Sequence, residues 1–124
     1  MKQRIFILGA TGKVGKELVS QIYKSDTDPE IHKNPSVVVG LASRTSYVYK
    51  PEGIETANAI AFSEKKEHGI KYKGFEEIIS MLRDTDSTMH IVDVTCSGDA
   101  LALHKGIIES TTQTIAMAST QYKL

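Results

Sequence analysis

Gly9, Gly12 and Gly15 punctuate the run Gly9-Ala10-Thr11-Gly12-Lys13-Val14-Gly15, and the apolar stretch Ile5-Phe6-Ile7-Leu8 leads straight into it. An amphipathic helical pattern from Glu17 to Ile22 follows. Glycines at this spacing, after a strand and before a helix, suit one chemistry: holding a diphosphate with main-chain N–H groups. Gly9 would permit the tight turn, Gly12 would let the backbone approach the anion, and Gly15 would let the helix pack close to the strand. The first helical amides, backed by the positive end of the helix dipole, would then face the phosphates. The spacing Gly-x-x-Gly-x-x-Gly is one residue longer than the simplest Gly-x-Gly-x-x-Gly fingerprint, so it specifies a nucleotide more firmly than an enzyme. The plainer alternative is a glycine-rich connection that binds nothing.

Two further segments carry polar residues just after apolar runs. Ser43-Arg44-Thr45 stands at the end of the run Ser36–Ser43, at the place where an NAD site usually offers Asp or Glu to the ribose 2′-OH. Arg44 stands there instead, and a guanidinium suits a 2′-phosphate, a charge-assisted contact of roughly 1.5–3 kcal/mol. That favours NADP over NAD, while a solvated or adenine-stacked arginine is the alternative. Thr95-Cys96-Ser97 follows Met89–Val94 and offers small hydroxyl groups to the nicotinamide ribose. Cys96 invites a nucleophile role, because a thiolate at a helix start has a lowered pKa. No histidine is spaced to serve as its base, so a structural cysteine is the better reading, and no catalytic residue is assigned. Asp93, inside the run, reads as a hydrogen-bonded structural acid. His32, His68, His90 and His104 lack metal-ligand spacing, and no metal site is expected. Asp26, Asp28 and Glu30 are interrupted by Pro29 and lack the glycine and terminal glutamate of a calcium loop.

The elements that must position these residues alternate. Strand-like runs are expected at Ile5–Leu8, Ser36–Ser43, Met89–Val94 and Thr114–Ala118. Helices are expected after Gly15, over Ile54–Lys66, over Phe75–Arg83 (Phe75, Ile78, Ile79 and Leu82 on one stripe) and over Asp99–Glu109. Continuous apolar strands alternating with helices predict an α/β fold: a Rossmann-type doubly wound parallel sheet, in one domain spanning residues 1–124. In such a sheet ligands bind outside the carboxyl ends of the strands, where all three polar segments fall. The chain carries 15 basic and 15 acidic side chains, a balance that argues against a sequence-independent hold on nucleic acid. No apolar run approaches the ~20 residues needed to span a bilayer. A single cysteine and no secretory signal pattern lead to the expectation of a soluble, cytoplasmic protein.

Taken together, Ile5–Ile22 (IFILGATGKVGKELVSQI), Val38–Arg44 (VVGLASR), Pro51-Glu-Gly-Ile54, Ile91–Ser97 (IVDVTCS) and the helix Ala102–Glu109 leading into Thr114–Ala118 resemble the N-terminal cofactor domain of homoserine dehydrogenase. The likeness covers nearly the whole chain, and its specificity lies in the ASR and DVTCS segments at their proper distances. It implies an NAD(P)-binding domain that supplies hydride for interconversion of aspartate semialdehyde and homoserine, on the route to threonine and methionine. It further implies that Gly9, Ala10, Thr11, Gly12, Lys13 and Val14 hold the pyrophosphate of NADP or NAD. Ser43 and Arg44 would hold the adenosine ribose, and Thr95, Cys96 and Ser97 the nicotinamide side. Family members usually carry an active-site Asn-Lys pair where this chain has Ser119-Thr120. The family's substrate and dimerisation regions lie beyond residue 124. The expectation is therefore a segment that binds dinucleotide without turning over homoserine, from a parent that is a homo-oligomer. A redox-sensing NAD(P)-binding protein and an atypical short-chain reductase open with the same glycine run. The reductase needs Tyr-x-x-x-Lys, and none of Tyr23, Tyr47, Tyr49, Tyr72 and Tyr122 has a lysine four residues on.

Overall fold

The computed structural model describes residues 3–26, 36–66, 69–84, 89–95, 105–109 and 114–117. In chain order its elements are β1 (Gln3–Leu8), α1 (Lys13–Asp26), β2 (Ser36–Ala42), β3 (Ser46–Tyr49), α2 (Thr56–Ser63), β4 (Ile70–Lys71), α3 (Phe75–Asp84), β5 (His90–Asp93) and β6 (Thr114–Met117). A further helical stretch lies at 105–109. The strands form one sheet in the order β4-β3-β2-β1-β5-β6. β1 pairs in parallel with β2 and with β5, and β5 with β6.

The α/β architecture is the expected one, but the sheet is mixed rather than wholly parallel. β3 and β4, which the apolar runs do not announce, add an antiparallel edge beyond β2. The reason is loop length: only Ser43, Arg44 and Thr45 separate β2 from β3, whereas a parallel return needs a dozen or more residues.

Both faces of the sheet are covered, which is why its strands read as unbroken apolar runs. Ile5 and Ile7 point to the face where Val19 of α1 and Ala59 and Phe62 of α2 pack. Phe6 and Leu8 point to the opposite face, against Ile78 and Leu82 of α3 and Ile107. Between Ile5 and Phe6 the β1–β2 register slips: Ile5 lies opposite Val38, but Phe6 lies opposite Gly40. The extra residue is a bulge. At its foot the Phe6 ring fills the space over Gly40, where a Cβ would fall 2.0 Å from Cδ2, and the same ring stacks at 6.5 Å on Tyr49.

Helix α3 starts as isolated helices prefer. Glu76 and Glu77 occupy its first turn, and the Glu77 carboxylate accepts from the Lys73 N–H at 3.0 Å. α1 starts differently. It is held against the end of β1 by the closest backbone approach of its first turn, where a Cβ on Gly15 would sit 2.0 Å from the Gly9 carbonyl oxygen and 2.8 Å from Ala10 Cα. Substituting alanine for a helical glycine ordinarily stabilises by about 0.5–1 kcal/mol. Here the clash is with backbone that cannot swing aside, and overpacking of that kind costs about 1–3 kcal/mol. Gly15→Ala is therefore expected to lower the urea or thermal unfolding midpoint. An unchanged or raised midpoint would show that the contact does not constrain the fold.

Candidate functional site

The carboxyl ends of β1, β2 and β5 meet at Gly9. The Ala42 carbonyl, at the end of β2, accepts from both the Gly9 N–H (2.9 Å) and the Ala10 N–H (3.0 Å). On the other side, Gly9 lies so close to the end of β5 that a Cβ would fall 3.0 Å from Thr95 Cγ2 and N. Gly9 also has φ +87°, the left-handed region that a side chain disfavours. The three polar segments singled out in the sequence are thus brought together as far as they are described: 9–14, 43–44 and Thr95. Cys96, Ser97 and Ser119-Thr120 lie outside the described residues.

The turn itself sorts its amides. Those of Gly9 and Ala10 are engaged by Ala42, and that of Gly12 by the Gly9 carbonyl at 3.1 Å. The first amide of α1 that bonds back along the helix is that of Lys16, to the Gly12 carbonyl at 2.9 Å. Among the described residues no acceptor meets the N–H groups of Thr11, Lys13, Val14 or Gly15. A helix start normally satisfies such donors with a capping side chain or with nearby carboxylates. Gly12 has no side chain to cap with, and the first turn of α1 contains no acid, only Lys13 and then Lys16. Each uncompensated cation there costs roughly 0.3–1 kcal/mol in the field of the helix. Space is also left open: a Cβ at Gly12 would meet nothing nearer than the Gly9 oxygen, at 3.5 Å. The chain's own packing does not require glycine at this position. Unmet donors, the positive end of a helix, lysines and open space are the features that an anion site requires.

Ser43 and Arg44 sit on the turn that joins β2 to β3. The Ser43 hydroxyl accepts from the Ser46 N–H (3.1 Å) and the Thr45 N–H (3.3 Å), and the Ser43 N–H donates to the Ser46 carbonyl (2.8 Å). Ser43 thus builds the turn, and Arg44 projects from it, exposed. The turn is anchored from outside by Tyr72, whose hydroxyl donates to the Ser43 carbonyl and whose N–H donates to the Thr45 carbonyl at 2.9 Å. Burial raises the Tyr72 pKa above its ordinary 10, which keeps that hydroxyl a donor. Sequence reasoning missed this role, because Tyr72 is 29 residues from Ser43 and no local pattern links the two.

At the end of β5, Asp93 is fully buried and accepts from the Thr95 N–H at 2.8 Å, as expected of a structural acid. That bond curls the chain so that Thr95 packs beneath Gly9. Thr95 Oγ1 is buried with no partner among the described residues, a polar atom left available at the junction of β1 and β5. The described residues contain no grouping of His, Cys, Asp and Glu able to hold a metal ion, and no helix long and apolar enough to cross a membrane.

No protein-family model matches the chain, and no curated protein sequence does. Solved structures do. Homoserine dehydrogenase from Thermoplasma acidophilum superposes with a TM-score of 0.72 at 21% identity, over 96% of this chain and 35% of its own. A presumed homoserine dehydrogenase from Archaeoglobus fulgidus gives 0.53 at 14% identity, over 93% of this chain and 42% of its own. The chain has the fold of that part, about a third, of the Thermoplasma enzyme on which it lies.

Proposed function

We propose that this chain is the dinucleotide-binding part of a homoserine dehydrogenase-like oxidoreductase. It would hold NADP or NAD for hydride transfer between the reduced cofactor and aspartate semialdehyde, with homoserine as the product. The observation that carries the reading is the start of α1: free amides, Lys13, and open space at Gly12, set where three strand ends meet. The likeness to homoserine dehydrogenases supports the choice of enzyme class.

In this reading Thr11, Lys13 and Val14 donate their amides to the pyrophosphate, while Gly9 and Ala10 shape the turn rather than touch the ligand. The Lys13 ammonium adds charge. Arg44 lies two residues past Ala42, so its Cα is within about 7.6 Å of the Ala42 Cα. It would pair with the adenosine 2′-phosphate. Thr95, with Cys96 and Ser97, would contact the nicotinamide ribose, Thr95 Oγ1 gaining the partner it lacks. The cofactor supplies the hydride; the chain binds and orients it.

Three outcomes are expected. Calorimetric titration should give tighter binding of NADPH than of NADH, and Arg44→Ala should remove the difference, about ten- to a hundredfold for a charge-assisted contact. Equal affinities in the unaltered chain would take Arg44 out of that role. Gly12→Ala should leave the unfolding free energy within about 0.5 kcal/mol of the original, since the new methyl meets only ordinary contacts. It should weaken both cofactors at least about tenfold by occupying the phosphate's space. If Gly12→Ala binds as before, the anion does not approach there. Finally, these 124 residues alone are expected to oxidise no homoserine above background when reduced cofactor is followed by absorbance. A clear rate would mean that the substrate site lies within them.

A further inference from the structure

We propose that Tyr72 is a positioning residue for Arg44, setting the preference for a 2′-phosphorylated dinucleotide without touching the ligand. The inference rests on the reading of Arg44 given above. Its basis is a clamp of unusual economy. The two carbonyls that flank Arg44, those of Ser43 and Thr45, are both held by one residue, the first by the Tyr72 hydroxyl and the second by the Tyr72 N–H.

The bonds between Ser43 and Thr45 or Ser46 close the turn and join it to β3, but none of them holds the carbonyl of Ser43 or of Thr45. Arg44 and Thr45 are exposed, and an arginine on an untethered exposed turn loses both backbone and side-chain freedom when it engages a ligand. Fixing the backbone on either side of it removes part of that cost before the ligand arrives. Tyr72 is itself fixed. It follows Lys71, which pairs with Ser46, and its ring lies 6.1 Å from that of Tyr47.

The clamp also accounts for β4, which is otherwise hard to explain. The strand is two residues long, and both Ile70 and Lys71 are exposed, so it adds nothing to either core. What it contributes is the delivery of Tyr72 to the rim beside Arg44.

The test is a calorimetric cycle with NADPH and NADH on the unaltered chain, Tyr72→Phe, Arg44→Ala and the double variant. Tyr72→Phe keeps the ring against Tyr47 and removes only the hydroxyl. It is expected to weaken NADPH about three- to tenfold, the worth of one hydrogen bond. NADH should change by less than about twofold, and Tyr72→Phe should have no further effect once Arg44 is alanine. Thermal unfolding checks that each variant is folded; Tyr72→Trp, with its donor off the Ser43 carbonyl, replaces Tyr72→Phe should the latter not fold. An unchanged NADPH-to-NADH ratio, equal weakening of both cofactors, or an undiminished effect in the Arg44→Ala background would each overturn the role. An unaltered chain that prefers neither cofactor would overturn the Arg44 reading itself, and this inference with it.

Discussion

The contact of Gly15 with the Gly9 carbonyl governs the geometry of the whole rim. Because no side chain intervenes at Gly15, α1 can begin directly against the exit of β1. That forces the chain through the left-handed conformation at Gly9, and it brings the Gly9 and Ala10 amides onto the Ala42 carbonyl. The end of β2 and the beginning of α1 are thereby set by one compact knot of backbone. The Asp93–Thr95 bond brings the end of β5 to the same knot from the other side. Side chains contribute little here, and the arrangement is made of main chain.

The charge at this knot is as informative as its shape. The three helices whose starts are described follow different rules, and α2 begins with neither an acid in its first turn nor a side-chain cap bond. α3 places Glu76 and Glu77 where the helix dipole wants negative charge, whereas α1 places lysines there and no cap. Stability alone would favour the first arrangement at both helices. What sets α1 apart from α2 is the lysine at its start.

Much of this was legible in the residues. The run Ile5–Leu8, the glycine spacing and the period of Phe75–Arg83 correspond to β1, the turn and α3 within a residue or two. These features are written locally, by burial on both faces of a strand or one stripe of a helix. The antiparallel edge was not read, although Tyr47, Val48 and Tyr49 are the aromatic and β-branched residues that strands favour and a three-residue polar turn precedes them. β4 carries no such signal: two exposed residues become a strand only because β3 offers them a ladder. For Ser43 the residue type was suggestive, but the partner was not. The hydroxyl expected at a ribose accepts within the turn from Thr45 and Ser46. Serine after a strand suits a turn as well as a ligand, and only tertiary structure decides between them.

The register slip between Ile5 and Phe6 leaves Val39 as an additional link in β2, so that strand is longer than the stretch of β1 it accompanies. Such an insertion bends a strand and increases its local coiling. It occurs three residues before Ala42, upstream of the corner from which Arg44 emerges. Which way that arginine leaves the sheet is thus governed by arithmetic as well as chemistry. A homologous chain one residue shorter here would preserve the inward pattern of Ile7, Leu41 and Ala42 yet aim its corner elsewhere.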